Sequence, residues 1–468
     1  MTITEEIRQQ PDMKKGQQIS IAWRLSLPII IAQLTNIAMQ YIDAAMVGQL
    51  GADASASVGL VSSTIWLFGG VTYAAVYGFS VQVAHAVGAG RTDRSRSIFR
   101  QGLKVTLLYA CLMAVLSASI AGVLPRWLGG EERLRSDATA YFLTISLCLP
   151  INQLRFYAGG CLETSGNTKT PGILSVLLCV LNVILNALLI PERITWHLGV
   201  LTIDRPGAGL GVFGAALATA LADLIIALAM LYVAACRQEE LQIRRCEKAP
   251  IEKGCMQRAV RIALPAIWES AAISGAQVAS TRIVAPLGAV SIASNSFAVT
   301  AESLCYMPGY GLEGSAQALV GQSLGSGNVK LARSFAWITT IMGMTIMSVM
   351  GVIMYFVCPG LMAFMTPDLS VRALAVQVLR IELLAEPFFG ASIVAAGAMR
   401  GAGDTMVPSI MNMVSIWGVR ITLSLLMVGR FGLTGAWIAM CVELCFRGII
   451  FLIRLASGRW LKHFHKPA

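Results

Sequence analysis

The sequence predicts an all-α integral membrane protein made of two similar halves, each with about six spanning helices. Three observations carry this prediction. Apolar runs reach membrane-crossing length, charge is scarce and crowded between those runs, and a repeat maps the first half onto the second.

Hydrophobic residues make up 56% of the 468 and charged residues 13%, where a soluble domain carries about 25% charged. A mostly apolar run of about 18 residues or more crosses a hydrocarbon core roughly 30 Å thick. Lipid offers no partner to free backbone groups, so such a run is helical. The period-2 alternation of a membrane barrel is absent. In chain order the spans fall near 20–47, 55–84, 99–124, 138–160, 171–191, 209–235, 259–284, 293–321, 335–357, 372–398, 407–428 and 432–455, which makes twelve.

Lysine and arginine in short loops orient such a bundle. The N-terminus, the even-numbered interhelical loops and the C-terminus carry 24 of the 36, including Arg91, Arg94, Arg96, Lys248, Arg258, Arg333, Arg400 and Arg459. The opposite side carries 8, among them Arg126, Arg133, Arg193 and Arg282. Both termini are therefore expected in the cytoplasm. The net charge of +11 is this asymmetry; no basic domain with interleaved aromatics exists to hold a nucleic acid.

Shifting the sequence by 237 positions places Leu27-Pro28 on Leu264-Pro265 and Leu50-Gly51-Ala52 on Leu287-Gly288-Ala289. Gly88-Ala89-Gly90 falls on Gly325-Ser326-Gly327, and Gly160, Gly166, Thr168 and Pro171 fall on Gly397, Gly403, Thr405 and Pro408. A longer first-half loop around 192–208 then breaks the register, and Gly214-Ala215 matches Gly435-Ala436 at an offset of 221. An even number of spans per half makes the repeat parallel. Parallel halves suit alternating access to a site between them. The expected divisions are a cytoplasmic tail over 1–19, an N-lobe over 20–235, a charged cytoplasmic linker over 236–258, a C-lobe over 259–455 and a cytoplasmic tail over 456–468.

The Gly-x-Gly pairs at 88–90 and 325–327 follow no strand. They read as helix ends, where glycine accepts the left-handed conformation, and not as phosphate loops. Eleven cysteines give no CxxC and no disulfide framework, and the four histidines have no metal-ligand spacing. An intramembrane enzyme would need a paired-acid metal motif, a nucleophile with its base or a cofactor lysine; none is evident, and no cofactor is expected.

Ionisable groups inside spans are costly and mark function. The acids placed there are Asp43, Asp223, Glu269, Glu302, Glu313, Glu382, Glu386 and Glu443, with Arg155, Arg380, Arg420 and Arg447 as the basic residues. Asp43 lies near the outer end of the first span. Glu269 follows Pro265 by one turn and needs either a basic partner or an aqueous cavity, and Glu302 and Glu386 lie deep enough for either role. Asn182 and Asn186 are one helical turn apart and share a face. With Asp43 and Thr219 they offer oxygens for a hard cation, while Asp43 alone could take a proton. Packing by interhelical hydrogen bonds is the plain alternative for the asparagines and threonine.

At these residues the chain resembles the multidrug and toxin extrusion (MATE) family of secondary transporters. The resemblance runs from about Leu27 to the twelfth span. Its carriers are Tyr41-Ile42-Asp43-Ala44-Ala45-Met46-Val47-Gly48, Asn152-Gln153-Leu154-Arg155, Gly166-Asn167-Thr168-Lys169-Thr170-Pro171, Gly214-Ala215-Ala216-Leu217-Ala218-Thr219 and Ala395-Ala396-Gly397-Ala398-Met399-Arg400-Gly401. It implies two six-helix lobes around a central cavity and export of amphipathic organic cations in exchange for H⁺ or Na⁺. It further implies a coupling site at Asp43, Asn182, Asn186 and Thr219, with Asp43, Asn182 and Thr219 as candidate Na⁺ ligands. In the C-lobe Glu269 matches a seventh-helix glutamate of one branch, and Glu302 and Glu386 join it as a candidate substrate or proton site. Asn186 stands where some members carry a second aspartate, and Phe389 stands near a tenth-helix aspartate. The expected protein is a monomeric rocker-switch antiporter of a bacterial inner membrane, with membrane lipid and a small cationic substrate as its partners. The alternative is a related transporter of an organic acid, a peptide product or a lipid-linked precursor.

Overall fold

The computed structural model describes residues 3–9, 13–198, 201–243 and 254–463. Much of the charged linker, including Arg244, Arg245, Lys248 and Lys253, lies outside the described residues, as does Lys466 of the C-terminal tail.

A short helix, α1 (Ile3–Gln9), precedes the first span, α2 (Lys15–Gly48). The second span is α3 (Ala52–Ala74) followed by α4 (Tyr77–Gly88), and the third is α5 (Thr92–Ile120). After the single turn α6 (Leu124–Trp127), the fourth is α7 (Glu132–Leu147) with α8 (Leu149–Thr164), broken at Cys148 just before Pro150. The fifth is α9 (Lys169–Leu189) and the sixth α10 (Gly211–Tyr232). The long loop between them folds as an antiparallel hairpin, β1 (Arg193–Leu198) with β2 (Leu201–Pro206).

The second half repeats the pattern. Its spans are α11 (Cys255–Val284), α12 (Ala289–Gly325) and α13 (Val329–Met365), then α14 (Leu369–Glu382) with α15 (Glu386–Gly401). The eleventh span starts as α16 (Met406–Met413), widens into a π-helical stretch over Val414–Ile421 and continues into α17 (Thr422–Ser457). Gly432, at φ 56°, turns the chain inside α17 and begins the twelfth span, a backbone region that only glycine enters without strain. Among the described residues, seven helical stretches are long and apolar enough to cross a membrane. The fourth, seventh, eighth and tenth spans are shorter, broken or richer in polar residues.

Each half has its own core. In the first, Phe99 stacks on Tyr157, whose hydroxyl donates to the Phe99 carbonyl at 2.9 Å. In the second, Met347, Leu379, Trp437 and Leu444 pack together. Leu108, Ile173, Phe356 and Leu426 stay exposed around the outside, the surface that lipid covers in a membrane.

The halves meet along a seam on the side that bears the N-terminus, and the repeat governs its contacts. Gln322 donates to the Thr164 carbonyl at 2.8 Å, and its repeat equivalent His85 bonds the Gly401 carbonyl at 2.8 Å. Ser80 bonds its own equivalent, Gln317, at 3.2 Å. Gly88 and Gly325 let the backbones close: a methyl group there would lie 2.1 Å from the Gln322 oxygen and 2.3 Å from the His85 oxygen. Gly90, Gly327 and Gly403 take the left-handed conformation at the ends of their helices. Towards the other side, Tyr41 reaches Thr300 and Ser303, and no hydrogen bond joins the halves beyond it among the described residues. Arg400, counted above with the loops, is instead buried within α15.

Candidate functional site

In the first lobe the polar groups form a relay across three helices. Asn186 Nδ2 donates to Asp43 Oδ1 at 2.5 Å and to Asn182 Oδ1 at 3.0 Å. Asn182 Nδ2 then donates to Thr219 Oγ1 at 3.2 Å, and the Thr219 hydroxyl donates to the Ala215 carbonyl at 3.1 Å. Both asparagines are fully buried while Asp43 is half-buried. The four residues read from the sequence are thus in one chain of bonds, with Asn186 between Asp43 and the other two. An N–H, and not an oxygen, faces the carboxylate.

One turn beyond Thr219 on α10, Asp223 Oδ1 lies 2.8 Å from Arg155 Nε of α8. Arg155 also donates to Asn152 Oδ1 at 3.1 Å and sits 4.2 Å from the centre of the Phe156 ring. Two buried groups that the sequence reading left unassigned therefore form an ion pair beside the relay.

In the second lobe Glu269 is 4% exposed and fully engaged. Arg400 donates to both its oxygens at 3.0 Å, Ser409 donates at 2.7 Å and Asn412 at 2.5 Å. Arg400 also binds Glu313, and its guanidinium lies 5.2 Å from the Tyr77 ring of the first lobe. Of the two arrangements the sequence left open for Glu269, the structure displays the basic partner.

A second acidic cluster occupies the same lobe. Glu302 on α12, Glu382 on α14 and Glu386 at the start of α15 are in electrostatic range of one another, with Arg420, Glu443 and Arg447 around them. Glu443 is paired: Arg447 Nε lies 3.0 Å away and Ser415 donates at 2.6 Å. The carboxylate oxygens of Glu382 and Glu386 have no hydrogen-bond partner among the described residues, although both side chains are fully buried. Arg420 makes no ion pair among the described residues and points at the Met440 sulfur. Ser415 and Arg420 both lie in the π-helical stretch, a feature frequent at functional sites.

Two copies of a six-helix unit, each with acids inside its spans, are a transporter's arrangement. The family model MatE matches residues 28–188 and again 265–426, one copy in each half. The chain belongs to the MATE family. Members of that family are transporters, so this MATE chain is a transporter and not an enzyme. It is 26% identical over 441 residues to "Probable multidrug resistance protein NorM" of Thermotoga maritima, covering 94% of this chain and 92% of the relative. Its fold is that of a Vibrio cholerae MATE transporter, VcmN in the bent form, at TM-score 0.83 and 18% identity over 96% of this chain and 99% of the other. It is also that of a MOP superfamily transporter from Pyrococcus furiosus, at TM-score 0.86 and 17% identity over 97% and 98%. Reverse polarity of the binding pocket is said to suggest a different function for that archaeal protein.

Sequence reasoning placed Glu382, Asp223, Glu313 and Arg420 inside spans but gave them no partners. Only Glu443 and Arg447, four apart on one helix, carried a local signal. The other pairings join helices far apart in the chain.

Proposed function

We propose that this MATE chain is a proton-coupled antiporter that exports amphipathic, cationic small molecules across a bacterial inner membrane, with both termini in the cytoplasm. The observation that carries the reading is uncompensated acid in both lobes. In the first lobe Asp43 accepts from the Asn186 amide and has no guanidinium on it among the described residues. In the second, the carboxylates of Glu302, Glu382, Glu386 and Glu443 face two guanidiniums, Arg420 and Arg447. A buried excess of negative charge is untenable without added protons or a bound cation. The multidrug designation of the Thermotoga relative supports a drug-like cargo.

A proton fits the first lobe better than Na⁺ does. Small hard cations need several oxygens turned inward. Here Asn182 Oδ1 accepts from Asn186 and the Thr219 hydroxyl accepts from Asn182, so both are occupied by neighbours, and of the amide and hydroxyl oxygens only Asn186 Oδ1 is left without a hydrogen-bond partner among the described residues. Asp43 takes and releases the proton, and Asn182, Asn186 and Thr219 hold its carboxyl in place. Glu302 and Glu386 receive the cationic end of the substrate, joined by Glu382. Glu269, already held by four donated bonds, braces α11 against α15 and α16.

The seam on the terminal side is closed, which reads as the outward-facing half of an alternating-access cycle. Lobes 20–235 and 259–455 then rock as units about the site, and one chain suffices, since each lobe supplies its own acids. A cargo of other polarity is the second reading, because the half-buried Arg420 makes no ion pair among the described residues. In proteoliposomes of the purified chain, a pH gradient should drive ethidium export, and Asp43→Asn should abolish it while leaving the protein folded. Normal export by that variant would return Asp43 to a structural role, and export of an organic anion alone would favour the second reading.

A further inference from the structure

We infer that Arg155 sets the ion selectivity of the first-lobe site: held on Asp223 as an internal cation, it leaves Asp43 the one uncompensated carboxylate there and denies Na⁺ a second acidic ligand. The inference rests on the reading of Asp43 as the coupling position. Thr219 and Asp223 are one turn apart on α10 and share a face. The relay that starts at Asp43 therefore ends at the turn from which Asp223 projects. Asp223 also lies in electrostatic range of Asp43 itself. The remaining titratable groups around the pair are Tyr141 on α7, Cys148 at the break before α8 and Cys179 on α9. A phenol and two thiols are uncharged at neutral pH by their ordinary chemistry. The charges that face each other here are thus Asp43, Asp223 and Arg155.

Arg155 is built to stay. It is 8% exposed, its Nε lies 2.8 Å from Asp223 Oδ1, Asn152 accepts from its fork at 3.1 Å, and the Phe156 ring packs on its plane. A guanidinium does not give up its proton in a protein, so this positive charge is permanent. Without it, the same helices would offer two carboxylates in electrostatic range of each other, Asp43 and Asp223. That is an anionic oxygen set of the kind small hard cations select by ligand charge.

The test uses the purified full-length chain in proteoliposomes, ethidium as cargo, and pH and Na⁺ gradients imposed separately. Wild type should ignore the Na⁺ gradient. Arg155→Gln should gain Na⁺-driven export by about tenfold or more, the scale of removing one nearby opposite charge. Adding Asp223→Asn to it should remove that gain, which a merely structural role for Arg155 does not foresee. Asn186→Asp supplies a second carboxylate directly at Asp43 with Arg155 intact, and should also gain Na⁺-driven export. It decides the matter if Arg155→Gln does not insert. Na⁺-driven export by wild type, or indifference to Na⁺ in Asn186→Asp, overturns the inference. Asp43→Asn separates the two ideas: normal export by it sinks the coupling reading. A dead Asp43→Asn with Na⁺-indifferent Arg155→Gln and Asn186→Asp leaves that reading standing and sinks the role of Arg155.

Discussion

Replacing Arg400 with glutamine tests whether the second lobe is held together by charge. Arg400 touches Glu269 through both carboxylate oxygens at 3.0 Å and also binds Glu313, with all three side chains under a tenth exposed. The trio carries a formal charge of one negative when ionised, and without the guanidinium it would carry two. Removing one partner of a buried pair costs about 3–5 kcal/mol because the other charge is left uncompensated. At about 1.36 kcal/mol per tenfold that is a factor of roughly 150 to 5,000 in the folded fraction. Glu313→Gln and Glu269→Gln each leave a neutral pair and should cost less, on the order of 1–3 kcal/mol for hydrogen bonds remade with an amide. Glu269 should be the costlier of the two, since it also holds Ser409 and Asn412. Thermal unfolding in detergent, followed by intrinsic fluorescence, reads the order directly. Arg400→Gln should lose the most, then Glu269→Gln, then Glu313→Gln. A glutamate variant that falls as far as Arg400→Gln would show that hydrogen-bond geometry, and not charge count, dominates the trio.

Three further outcomes are expected. Gly88→Ala puts a methyl 2.1 Å from the Gln322 oxygen, so it should destabilise the sealed state by about 1–3 kcal/mol of overpacking, read as increased cysteine labelling at the seam. Glu302→Gln should weaken binding of ethidium more than of an uncharged analogue, measured by fluorescence titration. A cysteine at exposed Lys330 should resist impermeant reagents applied to intact cells, because the loop carrying it is expected in the cytoplasm; rapid labelling would invert the topology.

The spans, their pairing into two halves and the polar face of Asn182 and Asn186 were legible because each is a local or periodic property of the chain. Helical spacing placed the two asparagines together, and the offset of 237 correctly paired Gly88 with Gly325 at the seam. What could not be read was which buried charge meets which. Arg155 and Asp223 are far apart in sequence and join α8 to α10, and Glu269, Glu313 and Arg400 come from three different spans. Arg400 also misled, since its place near Gly401 and Gly403 suggested a loop. The helix continues through it, and the seam buries it.

The repeat divides what is shared between the lobes from what each lobe owns. At the seam the halves present equivalent positions to each other: His85 bonds Gly401 as Gln322 bonds Thr164, and Ser80 bonds Gln317. A parallel duplication gives such contacts in pairs, and a seam that must open and close gains from being the same on both sides of its axis. The charged residues break that symmetry. The equivalent of Asp43 is Ser280, that of Glu269 is Ala32, and that of Arg155 is Ser392. Arg400 itself falls opposite Glu163, whose carboxylate faces Gly314 of α12 from the other side of the interface. If both lobes carried the same acids, proton and substrate would compete equally at two places and neither lobe would be committed to coupling. Divergence at these few positions lets the first lobe hold one carboxylate with a fixed arginine beside it. The second lobe keeps an acid excess large enough for a cationic guest, while the glycine-lined seam between them stays common to both.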